Sequence, residues 1–153
     1  MRILDAVDEA AVSQVRELFL EYWQAFGFSP CFQGFDQEVQ GLPGAYAAPG
    51  GALALAVVDG EVAGCVALRR LDAALAEAKR LYVRPAFRGC GVGRGLLDWL
   101  VTRARSLGYR ELVGDTVPQM VVALGMYERY GFERTEPYSP APTPGAIYLR
   151  LKL

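Results

Sequence analysis

Apolar positions recur with two different periods along this chain, and each period predicts one kind of secondary structure. From Val12 to Phe26 they recur every three or four residues, which predicts an amphipathic helix. Asp8 is suited to cap the start of this helix, and Gly27 is suited to end it. A second helical spacing runs over Leu96–Leu107.

Apolar runs with turn signals at their ends predict strands between and after these helices. Leu53–Val58 and Val62–Arg70 flank the dipeptide Asp59-Gly60, a strong signal for a tight hairpin. Ala74–Val83 follows after the short turn Leu71–Ala73, so it should pair antiparallel with the preceding strand. The other predicted elements are a strand at Arg2–Val7, a short helix at Asp36–Gln40, a strand at Glu111–Asp115, a helix from Pro118 to Tyr130-Gly131, and strands at Phe132–Glu136 and Ala146–Leu153.

The predicted order of elements, β-α-α-β-β-β-α-β-α-β-β, indicates an α+β fold with a mixed sheet. The 153 residues fit a single domain, 1–153, and a composition of 52% hydrophobic and 22% charged residues is that of a globular protein. Met1–Asp8 lacks the apolar core of a signal peptide, and apolar runs such as Gly51–Val58 are too short to span a bilayer. We therefore expect a cytoplasmic protein that does not bind membranes.

Charge and residue usage exclude several classes of function. A formal net charge of −1, from 16 basic and 17 acidic residues, argues against nucleic-acid binding by bulk positive charge. The chain has no His, which removes the commonest general base and metal ligand, so we expect no metal site and no Ser-His or Cys-His nucleophile. Three widely spaced cysteines, Cys31, Cys65 and Cys90, form neither a disulfide framework nor a metal-binding motif.

A glycine-rich segment is the strongest chemical signal in the sequence. Arg88–Gly95 reads R-G-C-G-V-G-R-G and lies between the apolar run Ala78–Val83 and the predicted helix at Leu96–Leu107. Glycine lets a backbone approach a ligand closely, and the N–H groups of a first helical turn bind anions, so this segment predicts a phosphate cradle. It fits neither the dinucleotide fingerprint nor the P-loop, which needs G-K-[ST].

What the segment does fit is R-x-x-G-x-G, with Arg88, Gly91 and Gly93, preceded by V-R-P at Val83–Pro85. With M-Y-E-R-Y-G-F at Met126–Phe132 and E-A-K-R-L-Y-V at Glu77–Val83, this resembles the GNAT N-acetyltransferase superfamily. The resemblance implies the GNAT fold, a central mixed and mostly antiparallel sheet with helices on both faces. It also implies acetyl-CoA as co-substrate, with no metal, and transfer of the acetyl group to an amine.

The resemblance assigns coenzyme-binding residues by position in the motifs. The loop amides would hold the pyrophosphate, the strand before them would meet the pantetheine arm, and the arginines would add charge. The residues so assigned are Leu81, Tyr82, Val83, Arg88, Gly89, Cys90, Gly91, Val92, Gly93, Arg94 and Gly95. Met120 departs from the family, which often has an Asn at this position to help hold the coenzyme.

Two residues are predicted to be catalytic. Glu77 lies eleven residues before Arg88, the offset at which family members with a catalytic Glu carry it, and is the candidate base for the amine. The alternative is a surface glutamate paired with Lys79 or Arg80. In the family, the Tyr of the motif matched by M-Y-E-R-Y-G-F lies near the coenzyme sulfur, so the resemblance makes Tyr127 the candidate acid for the departing thiolate. The alternative is a core aromatic residue.

The resemblance also implies an acceptor site built from the first two helices and the last hairpin, and in this sequence both regions are rich in aromatic residues. We assign Trp23, Phe28, Phe32 and Tyr138 to it, although such aromatics could equally pack the core. The partners expected are acetyl-CoA and an amine acceptor, and the sequence is compatible with a homodimer. The alternative function is a non-catalytic acyl-CoA-binding or regulatory module on the same fold.

Overall fold

The computed structural model describes residues 1–27, 34–139 and 144–153. Within these ranges the elements follow the predicted order. The strands are β1 (Arg2–Asp5), β2 (Ala52–Val58), β3 (Glu61–Arg70), β4 (Leu75–Val83), β5 (Glu111–Thr116), β6 (Glu133–Thr135) and β7 (Ile147–Lys152). The helices are α1 (Glu9–Ala25), α2 (Phe35–Gln40), α3 (Val92–Ser106) and α4 (Val121–Tyr130).

The strands form one mixed sheet in the order β1-β2-β3-β4-β5-β7-β6. The pairing of β4 with β5 is parallel, and the other pairings described are antiparallel. The predicted mixed, mostly antiparallel sheet is therefore confirmed.

Each face of the sheet is covered by helices. Along β2, Ala52, Ala54 and Ala56 pack into the core under α3, whereas Leu53 and Leu55 pack into the core under α1 and α2. A strand buried on both faces appears in the sequence as a continuous apolar run, which is what β2 shows.

Several local predictions are confirmed by the backbone. Asp8 caps α1, because its side chain accepts a hydrogen bond of 2.8 Å from the Ala11 N–H. Asp59 and Gly60 both have positive φ, as a type I′ hairpin turn requires. Gly131, with φ of 117°, ends α4.

Two helix starts differ from the prediction. The helix predicted to begin at Pro118 begins at Val121, because residues 117–120 form a turn in which the Met120 N–H bonds to the Val117 carbonyl at 2.9 Å. The helix predicted over Leu96–Leu107 begins four residues earlier, at Val92. The last two glycines of the glycine-rich segment are therefore helical.

Candidate functional site

The first turn of α3 forms an open backbone cradle. Gly91 is the N-cap residue, with φ of 88°, and provides no side-chain cap. Gly89 also has a positive φ, of 79°, and a Cβ at either glycine would meet nothing within 4 Å. The N–H groups of the first helical turn have no helical acceptor, so they are available to an anion in this open space.

Gly93 and Gly95 lie close to other side chains instead. A Cβ at Gly93 would lie 3.2 Å from Met126 Sδ and 3.6 Å from Val83 Cγ2, and one at Gly95 would lie 2.7 Å from Met1 Cε. The glycine at position 93 therefore lets the start of α3 approach both the end of β4 and helix α4. Val92, the first helical residue, is buried in the core under α3.

The polar side chains of the cradle are exposed and have partners of their own. Arg88 donates from Nε to the Val83 carbonyl at 2.9 Å, and the Cys90 thiol donates to the Phe87 carbonyl at 2.8 Å. Arg94 faces Asp98 at 3.4 Å, one turn further along α3. Exposed pairs of this kind are weak, so both arginines can turn toward a phosphate at little cost.

A cleft opens where β4 separates from β5. Their pairing covers Leu75–Glu77 on β4 and ends at the pair Glu77↔Val113, so the rest of β4 has no partner on that side among the described residues. The cleft holds about 360 Å³, including its open mouth. Its lining comes from α1, β4, β5, the turn before α4 and α4 itself: Tyr22, Ala78, Lys79, Arg80, Leu81, Asp115, Thr116, Met120, Ala123 and Tyr127.

A bulge in β4 accompanies this separation. Between the pairs Cys65↔Tyr82 and Ala67↔Lys79, two residues of β4 stand opposite one residue of β3. Arg80 lies in the bulge with φ of 58°, a left-handed conformation that is uncommon for a residue with a side chain.

Arg80 is held in that conformation by contacts with α1 and α2. Its guanidinium makes two hydrogen bonds to Glu38, at 2.9 and 3.0 Å, and lies 4.9 Å from the Trp23 ring centroid and 5.4 Å from that of Phe35. Burial alone would raise the pKa of Glu38, but the hydrogen bonds and charge of Arg80 outweigh it and hold that pKa below the ordinary value.

Tyr127 lines the cleft from α4. Its ring packs edge-on against Phe132 at 5.3 Å, and no residue in the described part of the chain makes a hydrogen bond with its hydroxyl. Burial raises the pKa of Tyr127, with Tyr22 and Asp115 acting in the same direction. The phenol therefore keeps its proton at neutral pH and can donate it to a ligand in the cleft.

Glu77 is buried on β4, with only 3% of its surface exposed. Its Oε1 accepts from Arg69 Nε at 2.5 Å, and its Oε2 accepts from the Tyr138 hydroxyl at 2.6 Å. The alternative of a surface glutamate paired with Lys79 or Arg80 is therefore wrong. Arg69 stands directly opposite Glu77 on β3, and Tyr138 reaches it from the segment after β6.

The structure brings together part of the predicted site. Leu81 and Tyr127 line the cleft, while the Tyr82 side chain is buried on the α1 face. Trp23 is buried, stacks on Phe35 at 4.0 Å and is not among the residues that line the cleft. Its contact with an acceptor stays a prediction, and Phe28 and Phe32 lie outside the described residues.

Met120 is a buried apolar wall of the cleft. Its Sδ accepts from the Thr116 hydroxyl at 3.4 Å and lies 3.9 Å from the Tyr22 hydroxyl. Thioether sulfur is only a weak acceptor and cannot donate. The contact that a family Asn makes with the coenzyme is therefore not available from this side chain.

Sequence reasoning missed three groups of the site, Arg69, Lys79 and Asp115. The position of Arg69 could have been derived, because the short turn between β3 and β4 sets the register that places it opposite Glu77. No comparable signal existed for Lys79 and Asp115, since they share the cleft only through the separation of β4 from β5.

Comparison with known proteins identifies the family. The model of the acetyltransferase (GNAT) family matches residues 12–132. An uncharacterised N-acetyltransferase of Schizosaccharomyces pombe is 36% identical over 138 residues, which covers 89% of this chain and 85% of that protein. The chain belongs to the GNAT acetyltransferase family.

Solved structures agree with this assignment at the level of the fold. A GNAT-family acetyltransferase from Staphylococcus aureus superposes with a TM-score of 0.83 at 19% identity, covering 99% of this chain and 98% of that one. One from Elizabethkingia anophelis, solved with acetyl-CoA bound, gives a TM-score of 0.72 at 23% identity, covering 99% and 97%. Within residues 1–27, 34–139 and 144–153, this GNAT protein has no helix that is long and apolar enough to cross a bilayer.

Proposed function

We propose that this protein transfers the acetyl group of acetyl-CoA to a primary amine of a small molecule, by direct transfer within a ternary complex. The observation that carries the proposal is the junction of the anion cradle and the cleft. At Gly93 the start of α3 lies close enough to Met126 that an added Cβ would be 3.2 Å from its sulfur, and the next residue, Tyr127, lines the opening between β4 and β5. We further propose that residues 1–153 act as one domain in the cytoplasm.

Binding of the coenzyme would use backbone groups more than side chains. The amides at the start of α3 suit a pyrophosphate, because they combine free donors with the positive end of the helix dipole. The unpaired edge of β4, from Ala78 to Val83, suits an extended arm that carries amide groups, because such an arm can take the place of the missing strand. The thioester would then lie in the cleft beside Tyr127.

The reaction needs no covalent enzyme intermediate. The neutral amine attacks the thioester carbon, the new C–N bond forms, and the C–S bond breaks. Tyr127 gives its proton to the departing sulfur, and Glu77 accepts a proton from the amine, directly or through water. The hydrogen bonds from Arg69 and Tyr138 fix the orientation of the Glu77 carboxylate.

The test is release of free thiol from acetyl-CoA across a panel of primary amines, with binding of CoA measured by calorimetry on the same preparation. We expect turnover with at least one amine and binding of CoA without any amine. A protein that binds CoA but releases no thiol with any amine would be a binding module. A protein that binds ATP or NAD and does not bind CoA would refute both alternatives.

A further inference from the structure

Lys79 is a partly buried cation that has no charged partner within the described residues. The chain has only two lysines, Lys79 and Lys152, and Lys152 is exposed at the end of β7, opposite Glu111 of β5. Lys79 is partly buried and lines the cleft between β4 and β5. Its ammonium makes no hydrogen bond or ion pair with any residue in the described ranges.

The arginines around it are arranged differently. Arg69 pairs with Glu77 at 2.5 Å, Arg80 with Glu38 at 2.9 Å, and Arg84 with Glu21 at 2.7 Å. Each of these cations therefore has a carboxylate that offsets its charge. A partly buried ammonium without such a partner is costly, and a ligand that supplies an anion would remove that cost.

The groups that face Lys79 from the surrounding elements support this view. Burial lowers the pKa of Lys79, and the charges of Arg80 and Arg69 act in the same direction, whereas Glu77 and Asp115 raise it. Tyr22 on α1 and Tyr127 on α4 line the same cleft and carry no charge while their hydroxyls stay protonated. The nearby carboxylates thus do not compensate for burial of the ammonium.

Asp115, near the end of β5, is a second charged residue of the cleft. It is partly buried, lines the same cleft and, within the described residues, has no hydrogen bond or ion pair. The cleft therefore presents one cation and one anion that are each open to a ligand. A molecule that carries an amine and a carboxylate matches both charges. Its carboxylate would bind Lys79, and its ammonium would be attracted to Asp115 before the ammonium loses a proton.

We propose that the acceptor is an amino acid or a related amine with a carboxylate, and that Lys79 binds this carboxylate in the cleft. The proposal rests on the proposed function, whose amine acceptor it specifies. The phosphates of the coenzyme have their own site at the start of α3. We therefore assign the anion that binds Lys79 to the acceptor.

The experiment compares amino acids with their amides as acceptors. Glycine, β-alanine, γ-aminobutyrate and larger α-amino acids are each assayed against the matching amide, by thiol release from acetyl-CoA. We expect kcat/KM to favour the acid of at least one pair by about tenfold or more, as for a charge-assisted hydrogen bond. In Lys79→Met the ratio of acid to amide should fall to about one, while Lys152→Met should keep the wild-type ratio.

The melting temperature of Lys79→Met shows whether a change in its activity comes from loss of stability. Methionine has a similar length and no charge, so Lys79→Met should leave the melting temperature unchanged or raise it. If Lys79→Met lowers kcat equally for acid and amide, Lys79 acts on the thioester oxygen. If it mainly weakens binding of acetyl-CoA, Lys79 is a coenzyme ligand. Either result would overturn the proposal.

The proposal and the proposed function can fail separately. Turnover of amides and plain amines with no preference for any acid would leave the acetyltransferase standing and refute the role of Lys79. If no amine releases thiol, binding of each acid and its amide to the CoA-saturated protein still decides the point by calorimetry. Equal binding of acid and amide would refute the role of Lys79, and a preference for the acid that Lys79→Met abolishes would support it.

Discussion

Gly91 offers the sharpest test of the anion cradle, because the chain contains a matched control. Gly91 and Gly60 both have positive φ, 88° and 80°, and a Cβ at either position would meet nothing within 4 Å. Gly60 lies in the hairpin turn between β2 and β3. Substitution by Val therefore imposes the same kind of backbone strain at both places, and only at Gly91 does it fill the space in front of α3.

The structure sets the size of the two effects. A residue held in the left-handed region costs about 1–3 kcal/mol, so each variant should lose about 2–12 °C in melting temperature and remain folded. At Gly91 the added side chain would also displace a phosphate from a backbone N–H group. Loss of one charge-assisted hydrogen bond, about 1.5–3 kcal/mol, should weaken CoA binding by about 10- to 150-fold.

Calorimetric titration of CoA into both variants and the wild type measures this directly. Gly60→Val should bind CoA like the wild type despite its lower melting temperature. Gly91→Val should lose affinity without losing more stability than its control. Equal CoA affinity in all three proteins would refute the assignment of the phosphates to the start of α3.

Three further variants test the catalytic and structural roles. Tyr127→Phe should lower kcat about a hundredfold while changing the KM for acetyl-CoA less, and a variant with full kcat would make the phenol a packing group. Glu77→Gln keeps an acceptor for Arg69 and a group that can donate to Tyr138, so it should stay folded, with lower stability because Arg69 loses its counter-charge, yet its kcat/KM at neutral pH should fall about a hundredfold; an unchanged kcat/KM would remove Glu77 from the mechanism. Glu38→Gln should cost about 3 kcal/mol of unfolding free energy at neutral pH, measured by denaturant titration against Glu133→Gln. Because the Glu38 pKa is lowered on folding, its contribution is present above the unfolded value of about 4.3 and is lost as pH falls through the folded value, so the deficit of Glu38→Gln should shrink in acid; a deficit independent of pH would contradict this account.

The sequence predicted the order of elements because local signals were strong where the backbone was regular. The Asp8 cap and the Asp59-Gly60 turn are decided by residues next to one another in the chain. The start of α3 was misplaced because glycines have low helix propensity. The side chains that lie close to them in the helix, Met126 and Met1, are far away in sequence.

The side-chain contacts of the site were harder to predict from the sequence for the same reason. The alternative partners considered for Glu77 were neighbours on its own strand, whereas side chains in a sheet meet chiefly across strands. Arg69 and Tyr138 reach Glu77 from 8 and 61 residues away. The misplaced start of α4 has a similar cause, since burial of Met120 and its contact with Thr116 keep this residue out of the helix.

The bulge at Arg80 links the fold to the proposed chemistry. A left-handed arginine costs about 1–3 kcal/mol, and it persists here because Glu38, Trp23 and Phe35 fix the guanidinium from the opposite side. The same stretch of β4 leaves its partner β5, and the cleft that opens is lined by Lys79 before the bulge and Leu81 after it. The ion pair with Glu38 offsets the charge of Arg80 and leaves Lys79, the neighbouring cation, available in the cleft. The strained residue thus supports the cleft, while the unstrained lysine beside it has its charge open to an acceptor.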